Sequence, residues 1–245
     1  MILKKFARQV LFIRELGVSN HGIDVWFFRF AELSSSLVRF ESYLSEQELG
    51  RAQAFRFERD RQRYIVFHGA MRDVLAHYLF PMASPKDIVF MCCDHGKPYV
   101  EGLEFNLSHS QDVAVLAVSR NLRLGIDIES VRCSVDCVGL AERFFHPKEA
   151  AYLKALSGSA QQQAFYQYWT AKEAFVKAVG EGVMFGFSSF CVDIGASCIS
   201  WIAPEKKLSP HDWRLVFLLD NEHPVALVYQ SLSCARLEVR QTVSF

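Results

Sequence analysis

Two charged residues, Glu173 and Lys177, lie four positions apart in the segment Trp169–Lys177. Read as a helix, this segment has one apolar face, made of Ala171, Ala174, Phe175 and Ala178. Glu173 and Lys177 then lie one turn apart on the opposite face, with Lys172 beside them. A carboxylate and two ammonium groups in this arrangement can help to hold a divalent cation and a polyphosphate together. The alternative is a solvated ion pair, which stabilises a helix by about 0.2–0.5 kcal/mol.

A second pair of acids occurs in the segment Gly125–Glu129. If the segment is a strand, Asp127 and Glu129 point to the same side of it, roughly 7 Å apart. The other side then carries the apolar residues Ile126 and Ile128. Two acids on one side repel each other unless a cation relieves the repulsion, so the pair can hold a metal ion. The alternative is a half-buried strand whose acids face water.

The segment Asn106–Ser110 has a third pattern, in which a histidine stands between hydroxyl side chains. Asn106, Ser108 and His109 offer several hydrogen-bond donors to a phosphate or diphosphate. The same residues could instead form side-chain-to-backbone turns before the apolar strand Val113–Val118. A serine hydrolase is disfavoured because the chain has no Gly-x-Ser-x-Gly motif. A P-loop nucleotidase is disfavoured because Gly-x-x-x-x-Gly-Lys-Ser/Thr is missing.

Hydrophobic periodicity predicts the elements that must hold these segments. The predicted helices are Asp60–Leu79, ended by Pro81, then Ala141–Leu156 and, after the polar segment 157–163, Ala164–Val179. Gly180 and Gly182 are expected to end the last helix. The predicted strands are Val25–Phe30, Ile88–Met91, a hairpin of Val113–Val118 with Leu124–Glu129 across Ser119–Arg123, and the tail strands Phe185–Asp193, Cys198–Ile202, Trp213–Leu219 and Val225–Tyr229.

This order of elements predicts an α+β protein made of two similar halves. Each half has one main helix followed by several strands. The expected halves are residues 1–121 and 122–245. With 245 residues, of which 51% are hydrophobic, the chain can bury a substantial core.

Charge and cysteine content narrow the classes of function. The chain has 27 basic and 27 acidic residues, whereas a protein that coats nucleic acid usually has a basic excess. Seven cysteines without a Cys-x-x-Cys pair indicate a reduced intracellular protein. No run of about 18 apolar residues occurs, so no membrane span is expected. We therefore expect a cytoplasmic protein that binds neither nucleic acid nor membrane.

The three segments, in this order, resemble the motifs of the 4'-phosphopantetheinyl transferase superfamily, in its surfactin-activating (Sfp) type. The matching stretches are Phe105–Ser110, Gly125–Glu129 and Trp169–Lys177. Looser matches extend the resemblance over residues 44–182, through Leu44–Glu46, Arg51, the helix from Asp60, Gly96–Pro98, Phe144–Phe145 and Glu149. The C-terminal strands add no motif.

The resemblance implies two pseudo-symmetric halves, related by a pseudo-twofold axis, with coenzyme A bound in the cleft between them, in a monomeric protein. It implies an enzyme that moves the 4'-phosphopantetheine arm of coenzyme A onto a serine of an acyl- or peptidyl-carrier protein and releases adenosine 3',5'-bisphosphate. Asp127, Glu129 and Glu173 would coordinate Mg²⁺. The coenzyme would be bound by Asp127, Glu173, Lys172, Lys177, His109, Arg51, Gly96, Lys97, Asn106 and Ser108.

Catalysis would depend on Glu173 and Lys177. Transfer to a serine hydroxyl needs charge neutralisation on the diphosphate more than it needs a covalent intermediate. The base that accepts the serine proton could be Glu173, a metal-bound hydroxide or Glu149, with Glu173 ranked first. Two other functions stay open: a module that binds coenzyme A or a carrier protein without turnover, and a hydrolase of the coenzyme A diphosphate.

Three features leave details of the substrates open. His68 stands where the family often has an arginine, which puts a phosphate contact there in question. Exposed apolar residues in the loop Val131–Leu140 are candidates for contact with the carrier protein. No pattern indicates whether the carrier serves fatty-acid, polyketide or nonribosomal-peptide synthesis.

Overall fold

A computed structural model describes residues 22–79, 84–93, 95–218, 223–231 and 239–243 of the chain. The α-helices of these residues are α1 (Phe30–Leu33), α2 (Leu37–Glu41), α3 (Glu46–Gln53), α4 (Glu58–Leu79), α5 (Cys137–Phe144), α6 (Pro147–Lys154) and α7 (Gly158–Val179). The strands are β1 (Ile23–Arg29), β2 (Met91–Cys92), β3 (Pro98–Tyr99), β4 (Glu104–Ser110), β5 (Val113–Ser119), β6 (Leu124–Ile128), β7 (Phe190–Asp193), β8 (Cys198–Ile202), β9 (Trp213–Leu218), β10 (Val225–Gln230) and β11 (Val239–Val243).

One half of the fold packs the 22-residue helix α4 against a sheet with the strand order β11-β1-β5-β4. Strand β5 is antiparallel to both β1 and β4, and β11 runs parallel to β1. The core between helix and sheet contains Phe67, Val74 and Leu75 of α4 with Trp26 and Phe28 of β1. These side chains recur at helical spacing on α4 and at every second position on β1, so each element has one apolar face toward this core.

The other half packs a second 22-residue helix, α7, against the antiparallel sheet β6-β10-β9. Ala171, Ala174 and Phe175 of α7 are fully buried in its core, as the helical spacing predicted. Helices α5 and α6 and the hairpin β7–β8 add further residues to the same core. Both halves thus place a long helix on a sheet, which confirms the α+β fold class.

The two sheets face each other through a shared apolar layer. Its members include Val25 and Phe27 of β1, Val115 of β5, Ile126 of β6 and Leu227 of β10. Consecutive strand residues point to opposite faces, so these strands bury one face against a helix and the other against the second sheet. Since β11 returns from the end of the chain to the first sheet, the boundary at residue 121 stays a prediction.

The predicted hairpin between Val113–Val118 and Leu124–Glu129 is wrong. Strand β5 pairs with β4 on one side and β1 on the other, whereas β6 pairs with β10. A strand as apolar as β5 is central in its sheet, so both of its edges are occupied and β6 must find another partner. Strand β4 is missing from the predicted elements because its polar residues suggested a turn, although Phe105 and Leu107 alternate with them.

The helix predicted at Ala141–Leu156 is two helices. Phe145 leaves the helical conformation with a ψ of 170°, and Pro147 begins α6. Proline suits the first turn of a helix, where its missing N–H costs no hydrogen bond. The polar segment 157–163 was expected to interrupt the helical structure. This expectation is wrong, because α7 already begins at Gly158.

The remaining predicted elements agree with the structure to different degrees. Helix α4 is confirmed, and so is the end of α7, where Gly180 has a φ of 81°. The strand predicted at Phe185–Asp193 shortens to β7, and the one at Ile88–Met91 is replaced by the two-residue β2. The expectations for Pro81 and Leu219 concern residues outside the described ranges.

Within those ranges, no helix has the length and apolar character needed to cross a membrane.

A buried ion pair in the first half makes stability depend on pH. Glu48 of α3 lies 2.7 Å from the guanidinium of Arg72, which is almost fully buried. Burial opposes ionisation of Glu48, but interactions with His68, Arg72 and Ser45 outweigh it and lower its pKa to about 2. Because this value is below the ordinary 4.5, ionised Glu48 stabilises the fold above pH 4.5, and the stabilisation is lost as the pH falls toward 2.

We expect Glu48→Gln to lower the free energy of unfolding at pH 7 by about 3 kcal/mol, because Arg72 is then buried without its counter-charge. The difference from wild type should shrink as the pH falls from 4.5 toward 2. Urea unfolding at several pH values measures both effects. Glu58→Gln, in an exposed pair with Arg61, is the control and should change little. A loss that stays constant down to the lowest pH would contradict the role of Glu48.

Candidate active site

Polar side chains of β4 bridge the seam between the two sheets. The side-chain oxygen of Asn106 accepts a hydrogen bond from the backbone N–H of Ile126 at 2.8 Å. Two residues further on, the Ser108 hydroxyl donates to Asp127 Oδ1 at 2.7 Å. Alternate residues of a strand point to one side, so both side chains reach β6 from the same face of β4. The segment that resembled a turn is therefore a strand whose polar face holds β6.

Ser110 continues this row and contacts the second acid of the pair. Its hydroxyl donates to Glu129 Oε2 at 3.1 Å and accepts the backbone N–H of Ser130 at 3.0 Å. Ser110 is not among the predicted site residues. Its period-two spacing from Asn106 and Ser108 is the sequence signal that could have identified it. Each acid of the β6 segment is thus held by one serine of β4.

Helix α7 can cross closely over β6 because Gly125 has no side chain. A Cβ at Gly125 would overlap the backbone carbonyl of Ala174 and the backbone N–H of Ala178. The close crossing brings Lys177 onto the strand, where its ammonium lies 2.6 Å from Asp127 Oδ1. The strand segment and the helix segment, which the sequence predicted to converge, therefore meet at an ion pair.

Three carboxylates lie near one another at this crossing. Burial raises the pKa of Glu129 and repulsion from Asp127 raises it further, while the Ser110 hydrogen bond and the charge of Lys177 oppose the rise. Burial also raises the pKa of Glu173; Lys177 opposes this, and the other two acids add to it. Lys177, with Arg132 near Glu129, therefore does not fully compensate these effects, and additional positive charge would stabilise the ionised forms of Glu129 and Glu173.

The acids offer a divalent cation both negative charge and a free ligand atom. Asp127 Oδ2 is buried without a hydrogen-bond partner among the described residues, and such an oxygen is a candidate metal ligand. Among all the residues that the structure describes, no group of three or more His, Cys, Asp or Glu side chains is placed so that it could hold a metal ion. Magnesium coordination by Asp127, Glu129 and Glu173 therefore stays a prediction.

A cavity of about 260 Å³ opens beside these groups, between the two halves, and we call it the central cavity. Gly96, Lys97 and Asn106 line it from the first half. Glu173 and Lys177 line it from α7. Five residues predicted to bind the coenzyme thus surround one cavity, although the sequence carries them on three separate segments.

His109 lies in a neighbouring cavity of about 400 Å³, the outer cavity. Its ring stacks on Phe67 with 6.1 Å between the ring centroids. Although part of the ring is exposed, desolvation lowers the pKa of His109, and the charges of His68, Lys177 and Arg63 lower it further. Before a phosphate binds, His109 is therefore neutral near pH 7 and offers a hydrogen bond rather than a charge.

Arg51 and His68 are not among the residues that line the central and outer cavities. Arg51 is exposed on α3 and lines neither the central nor the outer cavity. His68 stacks on Tyr64 with 3.9 Å between the ring centroids, and its Nδ1 lies 3.7 Å from Glu48 Oε1. Contacts of Arg51 and His68 with a coenzyme stay predictions.

Lys172 does not reach either cavity, which corrects the expectation that it balances phosphate charge. Its side chain is 0% exposed and forms an ion pair with Glu149 at 2.8 Å. One residue before Glu173, it lies about 100° around the helix, on the buried face. Glu149 is excluded as a base for the same reason, since it is buried and also accepts the backbone N–H groups of His146 and Val192.

The loop predicted at Val131–Leu140 extends only to Asp136, because α5 begins at Cys137, and this segment adjoins a third cavity of about 200 Å³. Val135 and Leu140 line this cavity together with Trp169, and Glu129 lines it from the side of the acids. Val131 is exposed. The loop thus lies close to the crossing of β6 and α7, and its contact with a carrier protein stays a prediction.

Comparison with known proteins relates both halves to the same enzymes. A family model described as 4'-phosphopantetheinyl transferase superfamily matches residues 123–228, and one described as 4'-phosphopantetheinyl transferase, N-terminal, matches residues 32–121. The 4'-phosphopantetheinyl transferase HetI of Nostoc sp. (strain PCC 7120) is 37% identical over 219 residues, which cover 87% of this chain and 89% of HetI.

Two relatives from bacilli match a shorter part of the chain. The 4'-phosphopantetheinyl transferase psf-1 of Bacillus pumilus is 35% identical over 156 residues, which cover 62% of this chain and 64% of psf-1. The 4'-phosphopantetheinyl transferase Sfp of Bacillus subtilis (strain 168) is 30% identical over 158 residues, which cover 63% of this chain and 68% of Sfp.

The matched regions contain all the segments that form the crossing. Asn106–Ser110 lies within the N-terminal match, and Gly125–Glu129 and Trp169–Lys177 lie within the superfamily match. The resemblance inferred from these three segments is therefore confirmed. This chain belongs to the 4'-phosphopantetheinyl transferase superfamily and is an enzyme of that kind.

Proposed function

We propose that the chain transfers the 4'-phosphopantetheine group of coenzyme A to a serine of an acyl- or peptidyl-carrier protein. The products are the holo-carrier and adenosine 3',5'-bisphosphate. The observation that carries the proposal is the crossing of β6 and α7, where Lys177 and three acids come together beside the central cavity. Membership of the superfamily supports the reaction class. The proposal includes a monomeric, cytoplasmic chain, as expected from the sequence and the resemblance.

Coenzyme A would bind with its diphosphate beside Glu173 and Lys177 and its nucleotide toward Gly96 and Lys97. Charge supports this orientation, because Lys97 and Lys177 line the central cavity from opposite halves. Lys97 is half-buried and donates to the backbone carbonyl of Leu124 at 3.0 Å, which fixes its position at the cavity wall.

Mg²⁺ would be held by Asp127, Glu129 and Glu173, since this ion favours a few carboxylates together with substrate oxygens and water. When bound, it would neutralise charge on the diphosphate. Asp127 Oδ2 supports the assignment as a buried oxygen without a hydrogen-bond partner in the described part of the chain. Asp127 Oδ1 contacts Lys177, so the two oxygens of this carboxylate would have different partners.

In the reaction, the serine oxygen forms a bond to the phosphorus that carries pantetheine. The bond from this phosphorus to the bridging oxygen breaks, and its electron pair leaves with adenosine 3',5'-bisphosphate. Lys177 can stabilise the charge that develops on the leaving group. Glu173 is the best-placed base for the serine proton, because it lines the central cavity and burial raises its pKa.

Intact mass spectrometry of an apo carrier protein, incubated with the chain, coenzyme A and Mg²⁺, tests the proposal. The expected result is a gain of one phosphopantetheine group on the carrier. Consumption of coenzyme A with an unchanged carrier would indicate a hydrolase instead. Binding of coenzyme A without consumption would indicate a module without turnover. Apo carriers from fatty-acid, polyketide and nonribosomal-peptide synthesis, tested in parallel, would identify the acceptor class.

Lys177→Met is expected to reduce transfer by about 100-fold, because it removes the ammonium that contacts Asp127 and faces the diphosphate. Methionine keeps most of the apolar stem, but buried Asp127 loses its counter-charge, so the variant should also be less stable. Its rate is therefore measured at a temperature at which a thermal melt shows it folded. The control is Lys154→Met, which removes an exposed ammonium paired with Glu142 and should leave the rate unchanged. Rates come from the carrier mass assay. Full activity of Lys177→Met would show that the Lys177 ammonium takes no part in transfer.

A further inference from the structure

Lys172 uses all three N–H groups of its ammonium inside the protein. They reach Glu149 Oε2 at 2.8 Å, the backbone carbonyl of Phe187 at 2.8 Å and the backbone carbonyl of Phe190 at 2.9 Å. The ammonium also lies 4.1 Å from the centroid of the Phe190 ring. Since a lysine ammonium has three donors, this one is fully hydrogen-bonded and held in one position.

Glu149 extends the same network to two more elements. Its carboxylate accepts the backbone N–H of His146, just before α6, at 3.0 Å. It also accepts the backbone N–H of Val192, in β7, at 2.7 Å. A charge this deeply buried is tolerated only when it is paired and hydrogen-bonded, so the network favours one arrangement of α6, α7 and β7.

The network also fixes one wall of the central cavity. Phe187 lines that cavity together with Glu173 and Lys177. Its backbone carbonyl is held by Lys172, and its ring packs edge-on against Trp169 at 5.6 Å between centroids. A shift of the Phe187 backbone would therefore change the shape of the cavity beside Glu173 and Lys177.

We propose that Lys172, through its pair with Glu149, is a positioning residue that fixes the Phe187 wall of the central cavity and thereby sets the affinity for coenzyme A. The inference rests on the proposed function, because it takes coenzyme A as the molecule that occupies this cavity. The proposal assigns different roles to Lys172 and Lys177, which lie on the same helix, α7. The ammonium of Lys177 faces the ligand, and that of Lys172 holds the wall from inside the core.

Lys172→Met tests the positioning role. The KM for coenzyme A should rise by about tenfold, while kcat and the KM for the carrier change by less than about threefold. Amide hydrogen exchange in residues 182–190 should become faster in the variant without any ligand. Leu153→Ala is the control, since it opens a cavity in the same core and Leu153 takes no part in the hydrogen bonds of Lys172 and Glu149. It should lower stability but leave the KM for coenzyme A as in wild type.

If Lys172→Met does not fold because Glu149 is left buried without a counter-charge, the double variant Lys172→Met/Glu149→Gln removes both charges and carries the same expectations. A KM for coenzyme A that changes no more than in Leu153→Ala would overturn the positioning role. Hydrogen exchange that rises evenly over the whole C-terminal half would also overturn it. A wild-type chain without transfer activity would refute the proposed function, and the exchange measurement would still decide whether Lys172 holds the wall.

Discussion

Glu173→Gln is expected to lower the rate of phosphopantetheine transfer by about 1,000-fold while the chain stays folded. Glutamine keeps the shape of the side chain but removes a negative charge from the crossing of β6 and α7. It also removes the proposed acceptor of the serine proton. Burial and repulsion from Asp127 and Glu129 raise the pKa of Glu173, which means that its charge is unfavourable in the folded chain. The thermal unfolding temperature should therefore be equal to that of wild type or higher.

Two measurements on Glu173→Gln separate catalysis from folding. The carrier mass assay gives the rate, and a thermal melt gives the stability. Glu205→Gln, which changes an exposed glutamate in the same way, is the control and should match wild type in both. A Glu173→Gln variant that transfers at the wild-type rate would remove Glu173 from the mechanism. A slow variant with a much lower melting temperature would point to a folding defect instead.

Asp127→Asn should reduce transfer by about 100- to 1,000-fold, with the fold retained. The asparagine carbonyl can still accept hydrogen bonds from Ser108 and Lys177, as Asp127 Oδ1 does at 2.7 Å and 2.6 Å. The amide N–H₂ replaces the buried Oδ2, and an N–H₂ group cannot coordinate a cation. The defect should therefore be most severe at limiting Mg²⁺.

A magnesium titration of the transfer rate checks this expectation. Asp212→Asn, an exposed aspartate away from the crossing, is the control and should follow the wild-type curve. If Asp127→Asn turns over like wild type at limiting Mg²⁺, the metal assignment is wrong. Isothermal titration of the ligand-free variants with Mn²⁺ gives a second readout, in which Asp127→Asn should bind more weakly than Asp212→Asn.

The predicted site residues fall into those that local periodicity can place and those that it cannot. Asp127 and Glu173 follow from a period of two on a strand and of 3.6 on a helix. The burial of Lys172 follows from neither period. A charged residue at the edge of the polar face of a helix is predicted to lie on that face, whereas Lys172 is buried. Its partner Glu149 lies in another helix, and only packing of α6 on α7 shows that both are buried.

Strand pairing was harder to predict than the elements themselves. The strands around Val113–Val118 and Leu124–Glu129 exist, yet they belong to different sheets. A short connection makes two neighbouring strands look like a hairpin, and sequence alone does not show that β4 and β1 already occupy both edges of β5. Strand β4 could not be predicted from hydrophobic periodicity, because the face that it buries against β6 carries serines in place of the usual apolar residues.

The most direct measurement is a crystal structure of the chain with coenzyme A and Mn²⁺, using the anomalous signal of manganese to locate the ion. An anomalous peak within about 2.5 Å of carboxylate oxygens of Asp127, Glu129 and Glu173, in contact with the coenzyme diphosphate, is the predicted result. A diphosphate bound away from the crossing of β6 and α7, or a manganese ion that touches none of these acids, would contradict the account.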